Sequence, residues 1–207
     1  TDFRILLSFS VIGFTYLVNQ EIAFSLWFFH ILMKAQSGML SYIGYDVPGR
    51  HEAFTGGGGT IAVAHEAMGA TVALVLFVLW TGRKHLAAVF GKALGTRPDV
   101  EDRDEIMSYR VAWLSVLAGG PFLWWWLWRT GMPAWTAAAV LFVGMVLLVG
   151  LTRMVTEGGF FITRAPINPG NAIVSGVGVD ALGTAGVTGL GYSFVWAGEM
   201  RIFVMAA

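Results

Sequence analysis

The sequence predicts an all-α integral membrane protein with about five transmembrane helices and a short amphipathic helix at the membrane surface. Three observations carry that prediction. Of the 207 residues, 56% are hydrophobic and 13% are charged, against about 25% charged in an average soluble domain. That leaves too little polar surface to coat a water-soluble globule of this size, and the mean hydropathy of +0.67 agrees. The apolar residues fall in long runs separated by short polar stretches. Nine Trp and fifteen Phe complete the picture, since aromatic side chains, Trp and Tyr above all, favour the headgroup level of a bilayer.

The first apolar stretch covers residues 5–33, interrupted at Asn19-Gln20-Glu21. A straight crossing needs about 20 apolar residues, so this one is long. The expected form is a single long helix, tilted or kinked, with a helix broken at a polar joint as the alternative. Residues 37–59 form a loop, marked by Pro48-Gly49 and by Gly56-Gly57-Gly58-Gly59. It is no phosphate loop, because the Lys-Ser/Thr ending is absent. The second span covers about 60–81 and is closed by Arg83-Lys84-His85. Residues 86–94 read as the amphipathic surface helix, with Lys92 on its polar side. Residues 97–110 hold five of the thirteen acids and form a solvated loop.

The third span, about 110–128, ends in Trp124-Trp125-Trp126-Leu127-Trp128, an aromatic belt at one interface. A tight turn at 129–132 follows, and Pro133 suits the first turn of the next helix. The fourth span, about 133–152, carries no charge and is closed by Arg153. Residues 158–179 are irregular, with Pro166 and Asn168-Pro169-Gly170, and read as a re-entrant or surface segment. The last span covers about 181–205 and is rich in Gly, a pattern that lets helices approach closely in lipid. The whole reads as one transmembrane domain, 1–207, and both ends read as cut from a longer polypeptide.

Orientation follows from Lys and Arg, which accumulate in cytoplasmic loops. Residues 82–110 hold six, while 37–58 hold only Arg50 and 129–132 only Arg129. The expected location is the inner membrane of a bacterium, with 82–110 cytoplasmic and 37–58 and 129–132 periplasmic. Thirteen basic residues balance thirteen acidic ones, so charge offers no argument for a nucleic-acid partner. The expected partners are membrane lipids and other membrane-protein subunits.

Candidate chemistry is sparse. With no Cys, thiolate metal sites and Cys nucleophiles are excluded. No nucleophile–base–orienter set assembles, and no zincin, Rossmann or Walker pattern occurs, so the sequence points away from an enzyme. Glu21, beside Asn19 and Gln20, is either a proton or ion relay point or a carboxyl hydrogen-bonded inside the bundle. Glu66 is a further intramembrane polar group, about 100° around the helix from His65. His30 and His65 can each ligate a metal or the magnesium of a chlorophyll-type pigment as neutral imidazole. The alternative for both is a hydrogen-bonded interfacial histidine. No cofactor is required, and no dedicated metal site is expected. Arg153 and Glu157 share one helical face and form an interface pair that anchors the helix end before Gly158-Gly159, with substrate binding as the alternative.

Several local patterns are shared with a known group: Gly13-Phe14-Thr15-Tyr16, Phe24-Ser25-Leu26-Trp27-Phe28-Phe29, Arg83-Lys84-His85-Leu86, Thr152-Arg153-Met154-Val155-Thr156-Glu157-Gly158-Gly159 and the closing Met200-Arg201 region. In these the chain resembles the C-terminal half of an uncharacterised family of bacterial polytopic membrane proteins, itself distantly similar to oligopeptide-transporter-type permeases. The resemblance implies a polytopic helical fold and transfers no site residue. Two functions lead, with a membrane enzyme that needs residues from another chain as a weaker third. The first is an accessory or structural subunit of a larger membrane complex, of photosynthetic or respiratory type, supported by the scarcity of catalytic groups. The second is a solute permease or half of one, supported by the resemblance, the polar break at 19–21 and the irregular segment near Pro166.

Overall fold

The computed structural model describes residues 9–16, 18–45, 61–96, 107–159, 162–197 and 201–203. The acidic run at 97–106, most of the loop at 46–59, Arg4 and both chain ends lie outside them. The elements in chain order are α1 (Phe9–Thr15), α2 (Gln20–Tyr42), α3 (Ile61–Thr81), α4 (Arg83–Ala93), α5 (Tyr109–Arg129) and α6 (Ala134–Gly158). Then come β1 (Ile162–Arg164), α7 (Pro169–Val177), α8 (Val179–Ala197) and β2 (Arg201–Phe203). Among the described residues the regular structure is helical but for one two-stranded ribbon. Among the described residues three helices, α3, α5 and α6, are long and apolar enough to cross a membrane.

The hub is α6, which packs against α3, α5, α7, α8 and both strands. Its buried positions are Thr136, Ala137, Val140, Gly144, Leu147, Gly150, Leu151 and Val155. They recur every three to four residues, so one continuous stripe of the helix faces protein. The stripe alternates bulky and small side chains, and the small ones set the distances between helices. At Gly150 a Cβ would lie 2.5 Å from Thr71 Cγ2, so α3 and α6 cross there almost backbone to backbone. On α3 the buried residues Ala64, Thr71 and Val75 form the matching stripe. A second cluster joins Leu127 and Met132 to Ala137, Val140, Ile173, Leu182 and Leu190, tying α5, α7 and α8 to the start of α6.

The first predicted span divides into two helices. The chain leaves helix after Thr15, and α2 begins afresh at Gln20. Asn19 caps α2, its Oδ1 accepting the Glu21 N–H at 3.1 Å. An Asn side chain offers the backbone this alternative to a helical bond, which explains a boundary here. The same helix then runs to Tyr42, so the loop expected from residue 37 begins later. His30, Lys34 and Gln36 dilute its apolar character, and α2 is not among the three helices apolar enough to span.

Helix α4 starts at Arg83, so Arg83-Lys84-His85 is its first turn, not the tail of α3. Arg83 is held by its own neighbourhood: Nη1 donates to the Trp80 carbonyl at 2.7 Å, and the guanidinium sits 4.5 Å from the Trp80 ring centre. α4 lies on α5 through Phe90 and Trp113, edge to face at 5.0 Å. α5 matches its expected bounds to within a residue. At its end Trp124 stacks on Trp128, and Trp124 Nε1 donates across the turn to the Ala134 carbonyl at 2.9 Å. α6 continues through Arg153 and stops at Gly158, where Gly159 takes the left-handed conformation (φ 65°) that closes helices.

Within the segment expected to be irregular, 158–179, residues 169–177 form a helix whose start is buried. Ile167, Asn168, Pro169, Gly170 and Ile173 are all buried, and α7 packs between α6 and α8. Asn168 caps α7 by accepting the Asn171 N–H at 2.8 Å, with Pro169 in the first turn. No continuous helix covers 181–205. Gly183 breaks α8 with φ 64° and ψ 175°, a conformation open to Gly. Residues 201–203 form β2, pairing antiparallel with β1 (Ile162 with Phe203, Arg164 with Arg201). An isolated two-stranded ribbon is marginal, and this one rests on α6.

Candidate binding cleft between α2 and α3

Two helix faces build the site. On α2, Ile22, Ser25, Leu26, Phe29, Met33 and Gln36 recur at helical spacing and look one way; on α3, Val63, Glu66, Ala67 and Ala70 do the same. Between them lies an open cleft of ≈ 670 Å³. Its walls are apolar except at Ser25, His30, Gln36 and Glu66. The Ser25 hydroxyl is engaged within α2, donating to the Glu21 carbonyl at 2.8 Å. Gln36 Nε2 donates to Glu66 Oε1 and so ties the two helices together across the cleft. Among the described residues no Lys or Arg lines it.

Two of the polar residues singled out in the sequence, His30 and Glu66, therefore face one cavity although 36 positions separate them. Gln36 was not singled out, because an amide in an apolar run carries no signal until its partner is known. His65 and Glu66 diverge, as adjacent helical residues must. Only Glu66 enters the cleft, while His65 is exposed, with Nδ1 2.8 Å from the Ile61 carbonyl. A carbonyl only accepts, so Nδ1 carries the proton and Nε2 is the nitrogen left for any ligand. Asn19, Gln20 and Glu21 form the start of α2, with Glu21 exposed. Its carboxylate sits in the first turn, where the helix dipole favours negative charge.

Arg153 and Glu157 pair at 3.1 Å on the exposed surface near the end of α6. Among the described residues no group of three or more His, Cys, Asp or Glu could hold a metal ion. A second cavity of ≈ 500 Å³ opens where the α5–α6 turn meets α8, lined by Leu127, Met132, Thr184, Thr188 and Tyr192 among others. Close by, Thr136 Oγ1 is buried without a hydrogen-bond partner.

No curated protein and no solved structure matches the chain. The model of a family of unknown function, DUF6785, matches all of residues 1–207, and the chain belongs to that family.

Proposed function

We propose that this chain belongs to a solute permease and that the α2/α3 cleft is its solute-binding site. The observation that carries the reading is Glu66: a carboxylate facing an apolar cleft on α3, a helix long and apolar enough to span a bilayer. Polar and ionisable groups on such helices are expensive and mark solute or ion paths. The break in α8 at Gly183 supports the permease reading, because interrupted helices recur in transporter folds. So does the resemblance to oligopeptide-transporter-type permeases. We assign the protein to a bacterial inner membrane, with α2 and α8 as crossings beside the three long apolar helices and with 82–110 cytoplasmic. The natural lack of Cys makes the topology directly testable. Single cysteines at Lys84 and Thr130 should label from opposite faces of the membrane, and labelling from one face refutes the assignment. For function, solutes of varied charge are screened for thermal stabilisation of the purified full-length protein. A stabilising solute whose effect disappears in Glu66→Gln supports the permease.

The second reading is an accessory or structural subunit of a larger membrane complex, of photosynthetic or respiratory type. What favours it is α5, of which only 6% of the spanning window is buried, leaving its Trp and Leu side chains for lipid or for neighbouring subunits. Native gels of source membranes, with peptide mass spectrometry on each band, separate the two. Peptides confined to one large band, in fixed ratio to other proteins, favour the subunit.

A further inference from the structure

We infer that the cleft selects an amphipathic organic monocation, its cationic head at Glu66 and its apolar body against Leu26, Phe29 and Met33. The inference rests on the permease reading and adds the class of solute. It starts from charge. Among the described residues Glu66 is the one acidic side chain lining the cleft, and no Lys or Arg there offsets it. Glu66 has no ion-pair partner among the described residues; its bonded neighbour, Gln36, supplies a neutral amide. That bond engages Oε1 and leaves Oε2 to accept from a ligand. An anionic or zwitterionic solute would need a fixed cation for its carboxylate, and the described residues of the cleft supply none.

A metal ion fits poorly. His30 and Glu66 supply two ligating side chains, short of the three or more protein ligands that a zinc-like site uses. An organic cation suits what is there. The walls are hydrocarbon and aromatic, with Phe29 among them and aromatic rings able to attract a positive charge, and ≈ 670 Å³ falls within the usual range for a small-molecule site.

The test uses two amphiphiles of similar shape and opposite charge, phenylbutylammonium and phenylbutyrate, on the full-length protein in lipid nanodiscs by equilibrium dialysis, with binding to empty nanodiscs subtracted. The ammonium should saturate at about one per chain, and the carboxylate should bind at least about tenfold more weakly, the ratio that one charge-assisted hydrogen bond supplies. Glu66→Gln should weaken the ammonium by about tenfold, while Glu157→Gln, on the exposed end of α6, should not. Should Glu66→Gln fail to fold, Ala67→Phe decides, since it fills the cleft from α3 and must abolish binding. Equal binding of the two ions, or unchanged ammonium binding in either cleft variant, overturns the monocation. The permease reading then stands or falls separately, on whether any screened solute stabilises the protein through Glu66.

Discussion

Replacing Gly150 by Ala tests the packing of the whole bundle at one atom. The new Cβ would lie 2.5 Å from Thr71 Cγ2 and 3.4 Å from Val75 Cγ2. Carbon atoms in contact rest at about 3.5–4.0 Å, so about 1 Å must be found. Thr71 cannot easily yield. It is 1% exposed, and its Oγ1 donates to the Ala67 carbonyl at 2.8 Å, which holds the rotamer. The helices must therefore part, and overpacking of this kind costs about 1–3 kcal/mol. Against that stands the gain of Ala over Gly in a helix, about 1 kcal/mol. The net expectation is a loss of up to about 2 kcal/mol. Gly120→Ala on α5 isolates the propensity term, since nothing lies within 4 Å of its Cβ position; it should be neutral or mildly stabilising. Adding Thr71→Ser to Gly150→Ala removes the obstructing methyl and keeps the hydroxyl, so the double variant should recover to within about 0.5 kcal/mol of Thr71→Ser alone. Thermal unfolding in detergent, followed by the fluorescence of the nine Trp, reads all four proteins. If Gly150→Ala melts like Gly120→Ala, the close crossing of α3 and α6 is wrong.

Thr136→Val should be neutral or stabilise by up to about 1 kcal/mol, because the buried hydroxyl has no partner to lose; a clear drop in melting temperature would mean that the hydroxyl is bonded after all. Asn168→Ala should cost about 1–2 kcal/mol in the same assay by removing the α7 cap, and Asn168→Ser should restore most of it. Arg153→Ala should change stability by less than about 0.5 kcal/mol, since the pair with Glu157 is solvent-exposed; a large loss there would assign Arg153 a burial it does not have here.

What was legible in the sequence was whatever rests on composition and on long uninterrupted patterns. α5 and the bulk of α3 and α6 appear near their expected bounds because an apolar run of 20 or more residues has few alternatives to a helix. Polar caps were harder to read. Asn19-Gln20-Glu21 suits either a kink in one long helix or a break between two, and the structure has the break, with Asn19 capping a new helix. Asn168-Pro169 was read only as irregular, although an N-cap Asn followed by Pro is also how a helix begins. The end of the chain misled for another reason. Apolar Ile202 and Phe203 suit a strand as well as a span, and only the pairing partner at 162–164, some 40 residues away, decides between them. The cleft was half legible. His30 and Glu66 stood out as polar groups in apolar runs, but their convergence depends on how α2 meets α3, which no local pattern encodes.

The two walls of the cleft differ in how firmly they are held, and that difference bears on how it would work. α3 is locked to α6 by the Gly150–Thr71 crossing and by the buried Ala64 and Val75. α2 has no extensive packing against any other described element, and a hydrogen bond from Gln36 to Glu66 ties it to α3. One neutral-to-charged bond is worth about 1.5–3 kcal/mol at most, far less than a packed helix face. α3 is thus the more firmly held wall among the described elements. The group that ties the two walls together is the same carboxylate that would meet the cation. A cation met at Oε2 would leave the Oε1 bond to Gln36 in place, so an occupied cleft would keep both walls joined through one side chain. A carboxylate on the exposed start of α2, such as Glu21, would have no second wall to hold.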